Sequence, residues 1–313
     1  MADLLFGEIG KEIVIFLQQF SPTLDSIFKF FTILGNEIGY IVLIALITWI
    51  INKKYGIRLL LLVAISASIN QIIKGIFGHP RPAQTYPNEI LKLDDPEGYS
   101  FPSNHAQLSA VFYGYIGWEY KDKKLLTIIC IFIVGMIMLS RVYLGVHYPS
   151  DIIIGMIIGL GTIIFTIKYE KIVLNYLKGL SMYLISSLIF LVALVIIVVS
   201  IITTIATDHD LLIAANGSMP GVLVGTIIGL LLEEKYVNFT TDNMTKLKVL
   251  IRSIIGLSSV LLLYVLLKLI FSPFEEETIS IMTDFIRYAI LSFFAIFIVP
   301  LLFTKIEILI EKK

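Results

Sequence analysis

Apolar residues in this chain come in long runs rather than in the alternating or one-face patterns of a water-soluble fold. Ile- and Leu-rich stretches of roughly 18–25 residues follow one another almost from end to end. Each is long enough to cross a hydrocarbon layer of about 30 Å as a helix. A closed barrel would instead show alternation in segments of about ten residues, and no such pattern is present. The runs predict an all-α, polytopic helical membrane protein. Spans are expected at about 37–52, 56–77, 104–120, 124–141, 150–169, 180–205, 216–233, 248–271 and 282–304, about nine in all.

Residues 1–36 break the pattern, because Lys11, Glu12, Pro22, Asp25 and Lys29 interrupt them. A charge near a bilayer centre costs at least about 2.5–3.5 kcal/mol. One or two amphipathic helices lying in the interface are expected here; a hairpin dipping partway into the membrane is the alternative. The start, Met1-Ala2-Asp3, lacks the basic segment and cleavage site of a secretory leader, so the first span is expected to act as an uncleaved signal. Residues 37–175 hold the polar blocks described below, with about five spans, and 176–313 add about four spans without a catalytic pattern. Gly155 and Gly159, and likewise Gly221, Gly225 and Gly229, repeat at small-xxx-small spacing. That spacing predicts close helix packing.

Composition agrees with the pattern. The chain is 57% hydrophobic with mean hydropathy +0.91, against about 45–50% in a soluble domain. The formal net charge is zero, so no global field points to nucleic acid. Cys130 is the single cysteine, and no intramolecular disulfide is possible. Lys and Arg concentrate in alternate loops, from Lys53-Lys54 and Lys121 to Lys305, Lys312 and Lys313. By the positive-inside rule those loops are cytoplasmic. The expected C-terminus is then cytoplasmic, and the polar blocks face outward.

Three blocks sit at ends of apolar runs. In the first, Lys74 ends a span and Arg81 follows seven residues later between Pro80 and Pro82. A lysine at a span end is often only a snorkelling side chain. The arginine fork, however, can bind two phosphate oxygens at once. The second block, Phe101-Pro102-Ser103-Asn104-His105, opens a span. Ser103 or Asn104 can cap that helix, and free N–H groups at a helix start also bind anions. His105 at that mouth can act as acid or base near neutral pH. The third block is Ser140-Arg141, then His147 and Asp151, four residues apart. A carboxylate that accepts one ring N–H leaves the other nitrogen free as a nucleophile. Asp151 also suits a helix cap, and the two roles are compatible.

Other polar groups carry less. The loop 83–101 includes Asp94, Asp95 and Glu97, which read as a solvated face rather than a metal site. His79 reads as a loop residue, and Asp208, His209 and Asp210 as a solvated outer loop. Glu233, Glu234, Lys235 and Arg252 read as anchors at cytoplasmic ends.

Taken together, KGIFGHPRP (74–82), PSNH (102–105) and SRVYLGVHYPSD (140–151) resemble the type 2 phosphatidic acid phosphatase superfamily of membrane lipid phosphatases. That family has K-x6-RP, then PSGH, then SR-x5-H-x3-D, and the resemblance covers roughly residues 37–170. Asn104 stands where the family usually has Gly. The resemblance implies a six-helix bundle core, here followed by extra C-terminal transmembrane helices. It implies that Lys74, Arg81 and Arg141 bind phosphate with Ser103 and Asn104. It also implies that His147 attacks phosphorus, that Asp151 orients His147, and that His105 protonates the leaving group and then activates water. No cofactor or metal is implied.

The expected function is hydrolysis of a lipid phosphate or diphosphate at the outer leaflet of the cell membrane. A polyprenyl diphosphate such as undecaprenyl diphosphate comes first, ahead of phosphatidylglycerophosphate and phosphatidic acid. The expected partners are that lipid and the bilayer, without nucleic acid. Alternatives are a lipid phosphotransferase, in which a hydroxyl replaces water, and a non-catalytic lipid-phosphate transporter.

Overall fold

A computed structural model of the chain describes residues 7–96, 98–206, 217–274 and 277–311. Glu97, the Asp208–His209–Asp210 cluster, the Met1-Ala2-Asp3 start, Lys312 and Lys313 lie outside the described residues. The helical expectation holds, since no strand occurs among the described residues. Helices form at all nine expected places, and among the described residues six are long and apolar enough to cross a membrane. The count becomes seven if the bent pair Asp25–Leu34 and Glu37–Ile51 is one span. Three of the nine expected places fall short of that length and hydropathy, each for a physical reason. Asn104–Glu119 has only 16 residues and carries His105, Gln107 and Ser109. Ser218–Tyr236 ends in Glu233, Glu234 and Lys235. Glu37–Leu46, even with the π-turn Ile47–Ile51, is short by itself.

The described residues form two compact units. The first draws on Met1–Tyr40, Ile65–Val173 and Thr203–Ala214, the second on Ile41–Ala64, Leu174–Ile202 and Ala215–Lys313.

The first unit begins with α1 (Glu8–Gln18) and α2 (Asp25–Leu34). Helix α1 is inside-out for a water-soluble fold. Its polar Lys11 and Gln18 are buried, while Ile9, Ile13 and Phe16 are exposed. This is the arrangement a lipid-facing surface favours, because lipid and not water is then the solvent of the apolar side. Lys11 pairs with Glu8 at 2.8 Å and Glu89 at 3.1 Å. The Gln18 amide donates to the carbonyls of Leu91 (2.8 Å) and Tyr143 (3.0 Å) and accepts from the Leu91 N–H (2.8 Å). After α3 (Glu37–Leu46) and α4 (Lys53–Phe77) come α5 (Asn104–Glu119), α6 (Lys124–Tyr143) and α7 (Pro149–Leu177). Helices α5 and α7 touch backbone to backbone at the small-xxx-small positions. A Cβ at Gly155 would lie 2.6 Å from the Ser103 carbonyl, and one at Gly159 2.5 Å from that of Gln107. The buried Gln107 amide donates to the Ser66 carbonyl and hydroxyl (2.7 and 2.8 Å) and accepts from Asn70 (2.8 Å).

Helix α8 (Met182–Ala206) comes next in the chain, and in the second unit α9 (Ser218–Tyr236) packs on α11 (Glu277–Phe293) through the second glycine face, with α10 (Lys246–Phe271) between them in sequence. Cβ atoms at Gly221 and Gly225 would come within 2.3 and 2.1 Å of the Phe285 and Ala289 carbonyls. Glu233 and Arg252 are not surface anchors: they are 0% and 3% exposed. Glu233 pairs with Lys53 and accepts the Phe239 N–H at 2.6 Å. Arg252 binds Glu307 through Nε (2.8 Å) and Nη2 (3.1 Å), and its Nη1 donates to the carbonyls of Trp49 (2.8 Å) and Thr240 (3.1 Å). Its guanidinium also lies 4.3 Å from the centre of the Phe239 ring. Glu234 and Lys235 are exposed as expected.

Candidate active site

All three sequence blocks meet in the first unit. Lys74 lies in the last turn of Lys53–Phe77, with its ammonium on the Tyr99 and Ser100 carbonyls. Arg81 precedes the single turn Pro82–Thr85, and its N–H donates to Gln84 Oε1 at 3.0 Å. The Arg81 guanidinium donates to the carbonyls of Gly98 (2.9 Å) and Val146 (3.0 Å). Lys74 and Arg81 are both buried. The segment 98–100 therefore supplies backbone oxygens to two of the three cations. Its path is fixed by the Ser100 N–H, which donates to the His79 carbonyl at 2.7 Å.

Ser103 caps α5, its hydroxyl accepting from the Ala106 N–H at 3.4 Å. Its own N–H donates to the Asp151 carbonyl at 3.1 Å, which ties the second block to the third. The close approach of α5 to α7 makes that bond possible. Asn104 Oδ1 is buried without a partner. The His105 ring packs against Gly35, where a Cβ would stand 3.2 Å from the ring edge.

Arg141 occupies the last turn of α6 and is 1% exposed. Its Nη1 donates to Asp94 Oδ2 at 2.9 Å and to Thr32 Oγ1 at 2.5 Å, while its Nε is buried without a partner. After Arg141 the chain turns through Gly145, whose φ of +75° suits glycine. A Cβ there would also lie 2.6 Å from the Leu91 carbonyl. The turn delivers His147, whose Nε2 lies 3.2 Å from Arg81 Nη1. On the opposite ring edge, Nδ1 is 3.3 Å from Ser100 Oγ and 3.4 Å from Asp151 Oδ2. Asp151 is fully buried; its Oδ2 accepts from Ser100 Oγ (2.5 Å) and the Tyr148 N–H (2.8 Å), and its Oδ1 has no partner.

Three cations thus face two carboxylates, Asp151 and Asp94. Burial holds the His147 imidazole well below its ordinary pKa, and the positive charges of Arg81, Lys74 and Arg141, with His105, push the same way. The ring is neutral near pH 7. Arg81 can only donate, so the Nε2 beside it carries a lone pair. Three buried polar atoms in this cluster lack partners: Asn104 Oδ1, Arg141 Nε and Asp151 Oδ1. Buried polar groups in proteins are nearly always satisfied. A surplus of positive charge with an unfilled donor is what an anion completes.

Sequence reasoning missed Ser100, Thr32 and the pairing of Asp94. Asp95 does form a solvated pair with Lys92, but Asp94 turns inward onto Arg141. Nothing in the spacing of single Ser, Thr or Asp residues announces such contacts. His79 stacks edge-on against Tyr148 with ring centres 5.5 Å apart.

Comparison with known proteins identifies the family. Residues 55–175 match the PAP2 superfamily, and residues 217–312 match the PAP2 superfamily phosphatase transmembrane extension. The chain belongs to the PAP2 superfamily. Among its relatives is a probable sphingosine-1-phosphate phosphatase of Dictyostelium discoideum, 28% identical over 52% of this chain and 43% of that protein. An undecaprenyl-diphosphatase of Sulfolobus acidocaldarius is 28% identical over 48% of this chain and 72% of that protein. Phosphatidylglycerophosphatase B of Bacillus subtilis is 29% identical over 49% and 76%. The chain thus spans less than half the length of the first of these relatives.

Proposed function

We propose that this multi-pass membrane protein is a lipid phosphate phosphatase working through a phosphohistidine on His147, without a metal. The observation that carries the reading is the neutral His147, with Nε2 beside Arg81 in a buried cluster where cations outnumber carboxylates. Lys74, Arg81 and Arg141, with Ser103 and Asn104, hold the phosphate. The lone pair of Nε2 attacks phosphorus as the bond to the leaving oxygen breaks. His105 supplies that oxygen with its proton. Neutral His105 then takes a proton from water, and the resulting hydroxide attacks phosphorus, breaks the N–P bond and frees inorganic phosphate. Asp151 balances the positive charge that the phosphorylated ring gains. Preorganised cations at the transferring phosphoryl group are the usual main catalytic term.

The substrate proposed first is a polyprenyl diphosphate at the outer leaflet, followed by phosphatidylglycerophosphate and phosphatidic acid. Relatives of both kinds, the undecaprenyl-diphosphatase and phosphatidylglycerophosphatase B, are matched over most of their lengths, and the order between them rests on the outward placement of the blocks. The orientation rests on the lysine-rich loops, which put the blocks outside and the C-terminus in the cytoplasm. The purified protein in detergent–lipid micelles should release phosphate from one of these lipids, with EDTA without effect. His147→Ala should release none and trap no acid-labile phosphoenzyme. Full activity in that variant sinks the mechanism.

A further inference from the structure

We infer that Ser100 is a positioning residue that links His147 to Asp151 and holds the nucleophilic ring in its Nδ1–H tautomer. The inference rests on the phosphohistidine reading above.

The direct contact between His147 and Asp151 is long. Nδ1 and Oδ2 are 3.4 Å apart, whereas a charge-assisted N–H···O bond closes to about 2.7–2.9 Å. Oδ2 is already engaged by the Tyr148 N–H at 2.8 Å and by the Ser100 hydroxyl at 2.5 Å. The other carboxylate oxygen, Oδ1, makes no bond and does not reach the ring. The carboxylate alone therefore grips the imidazole poorly.

Ser100 stands between them. Its oxygen is 2.5 Å from Asp151 Oδ2 and 3.3 Å from His147 Nδ1. A hydroxyl has one proton and two lone pairs. The ionised carboxylate can only accept, so the serine proton points to Oδ2. The serine lone pairs are left for the ring, and an N–H at Nδ1 is the group that fits them. The far edge of the ring gives the same answer independently, since Arg81 Nη1 donates towards Nε2 at 3.2 Å. Both ends thus select one tautomer, with the proton on Nδ1 and the reactive lone pair on Nε2. When Nε2 takes the phosphoryl group, the Nδ1 proton stays in place. The positive charge on the ring then faces the serine oxygen and, through it, Asp151.

The backbone of Ser100 explains how one residue can hold this place. Its N–H is fixed on His79 and its carbonyl lies on Lys74. Its side chain is fully buried, so no water substitutes for the hydroxyl.

The test joins kinetics with nitrogen NMR of the histidine-labelled protein, whose four histidines are assigned by substitution. Wild-type His147 should show a protonated Nδ1 and an unprotonated Nε2 at neutral pH. Ser100→Ala should lower kcat about 10- to 100-fold, the size of one hydrogen bond to a charged group. KM should change little, and the His147 signals should move towards a tautomer mixture. Ser100→Thr, which restores the hydroxyl, should recover the wild-type signals and most of kcat. A wild-type ring carrying its proton on Nε2 overturns the inference whether or not any variant folds. Ser100→Ala with unchanged tautomer signals also overturns it, even where kcat falls. Absence of phosphate release from wild-type protein would instead defeat the phosphatase reading, while the tautomer measurement still decides the role of Ser100.

Discussion

Both units bury charge, and they treat it in opposite ways. In the second unit, Lys53 meets Glu233, and Arg252 meets Glu307, which the partly exposed Lys248 also reaches at 3.6 Å. All three guanidinium nitrogens of Arg252 and both oxygens of Glu233 have partners. In the first unit, Lys74, Arg81 and Arg141 share Asp151 and the partly exposed Asp94, and Arg141 Nε bonds to nothing. A buried charge left unmatched is costly. The saturated cluster reads as a structural clamp, and the unsaturated one as a site waiting for an anion. Apolar surroundings alone would not separate them, because both lie at the ends of similarly apolar helices.

Four experiments sharpen that contrast, beginning with the largest effect. Arg141→Met should lower phosphate release by about 10³-fold or more, the scale of losing a transition-state charge contact. Its thermal midpoint should hold or rise, because a surplus buried cation is gone; a lower midpoint would make Arg141 structural. Arg252→Met should do the reverse. It breaks a buried pair and should cost about 3–5 kcal/mol of stability, with kcat per folded molecule within about twofold. Loss of kcat at full stability would remove the distinction between the clusters.

The third concerns pH. His147 is held below its ordinary pKa when folded, so the unfolded chain binds the proton more readily. The stability contributed by the neutral ring is complete above the unfolded value of about 6.5 and is lost as pH falls below it. Between pH 6.5 and 5.5, wild-type protein should lose about 1 kcal/mol more stability than His147→Gln. Parallel stability curves would show that His147 is not desolvated.

The smallest effect is at Asp94. If its carboxylate only stands in for a phosphate oxygen on Arg141, Asp94→Asn should tighten inhibition by inorganic phosphate by about three- to tenfold, equivalent to a partly screened ion pair of about 1 kcal/mol. Weaker phosphate binding would place Asp94 with Glu307, as a partner that completes an arginine.

The blocks themselves were legible because each couples rare residue types at fixed spacing to the end of an apolar run. Lys74, Arg81, Arg141, His147 and Asp151 come together from 78 residues of chain, and nothing but their order foretold it. The glycine pairs at 155/159 and 221/225 were legible as packing faces for the same reason. What escaped was of two kinds. Ser100, Thr32 and Asp94 act through single contacts set by tertiary structure, and one Ser or Asp in a polar loop has no pattern. The buried pairs of Glu233 and Arg252 were mistaken for surface anchors because their partners Lys53 and Glu307 are 180 and 55 residues away. An expected span falls short of the usual length and hydropathy where polar residues such as Gln107 and Ser109 sit inside a short helix.

The clasp formed by Gln18 has a consequence for how such a protein can diversify. Among the described residues, its side-chain hydrogen bonds go to backbone atoms of Leu91 and Tyr143, none to a side chain. A hold of that kind fixes the course of the loop without calling on the side chains of the residues it grips. Substitutions at exposed positions such as Pro87, Asn88 and Leu91 that keep the backbone path can therefore be inherited one at a time without unfastening the loop. The outer surface of that loop can drift while the cluster of buried cations stays put.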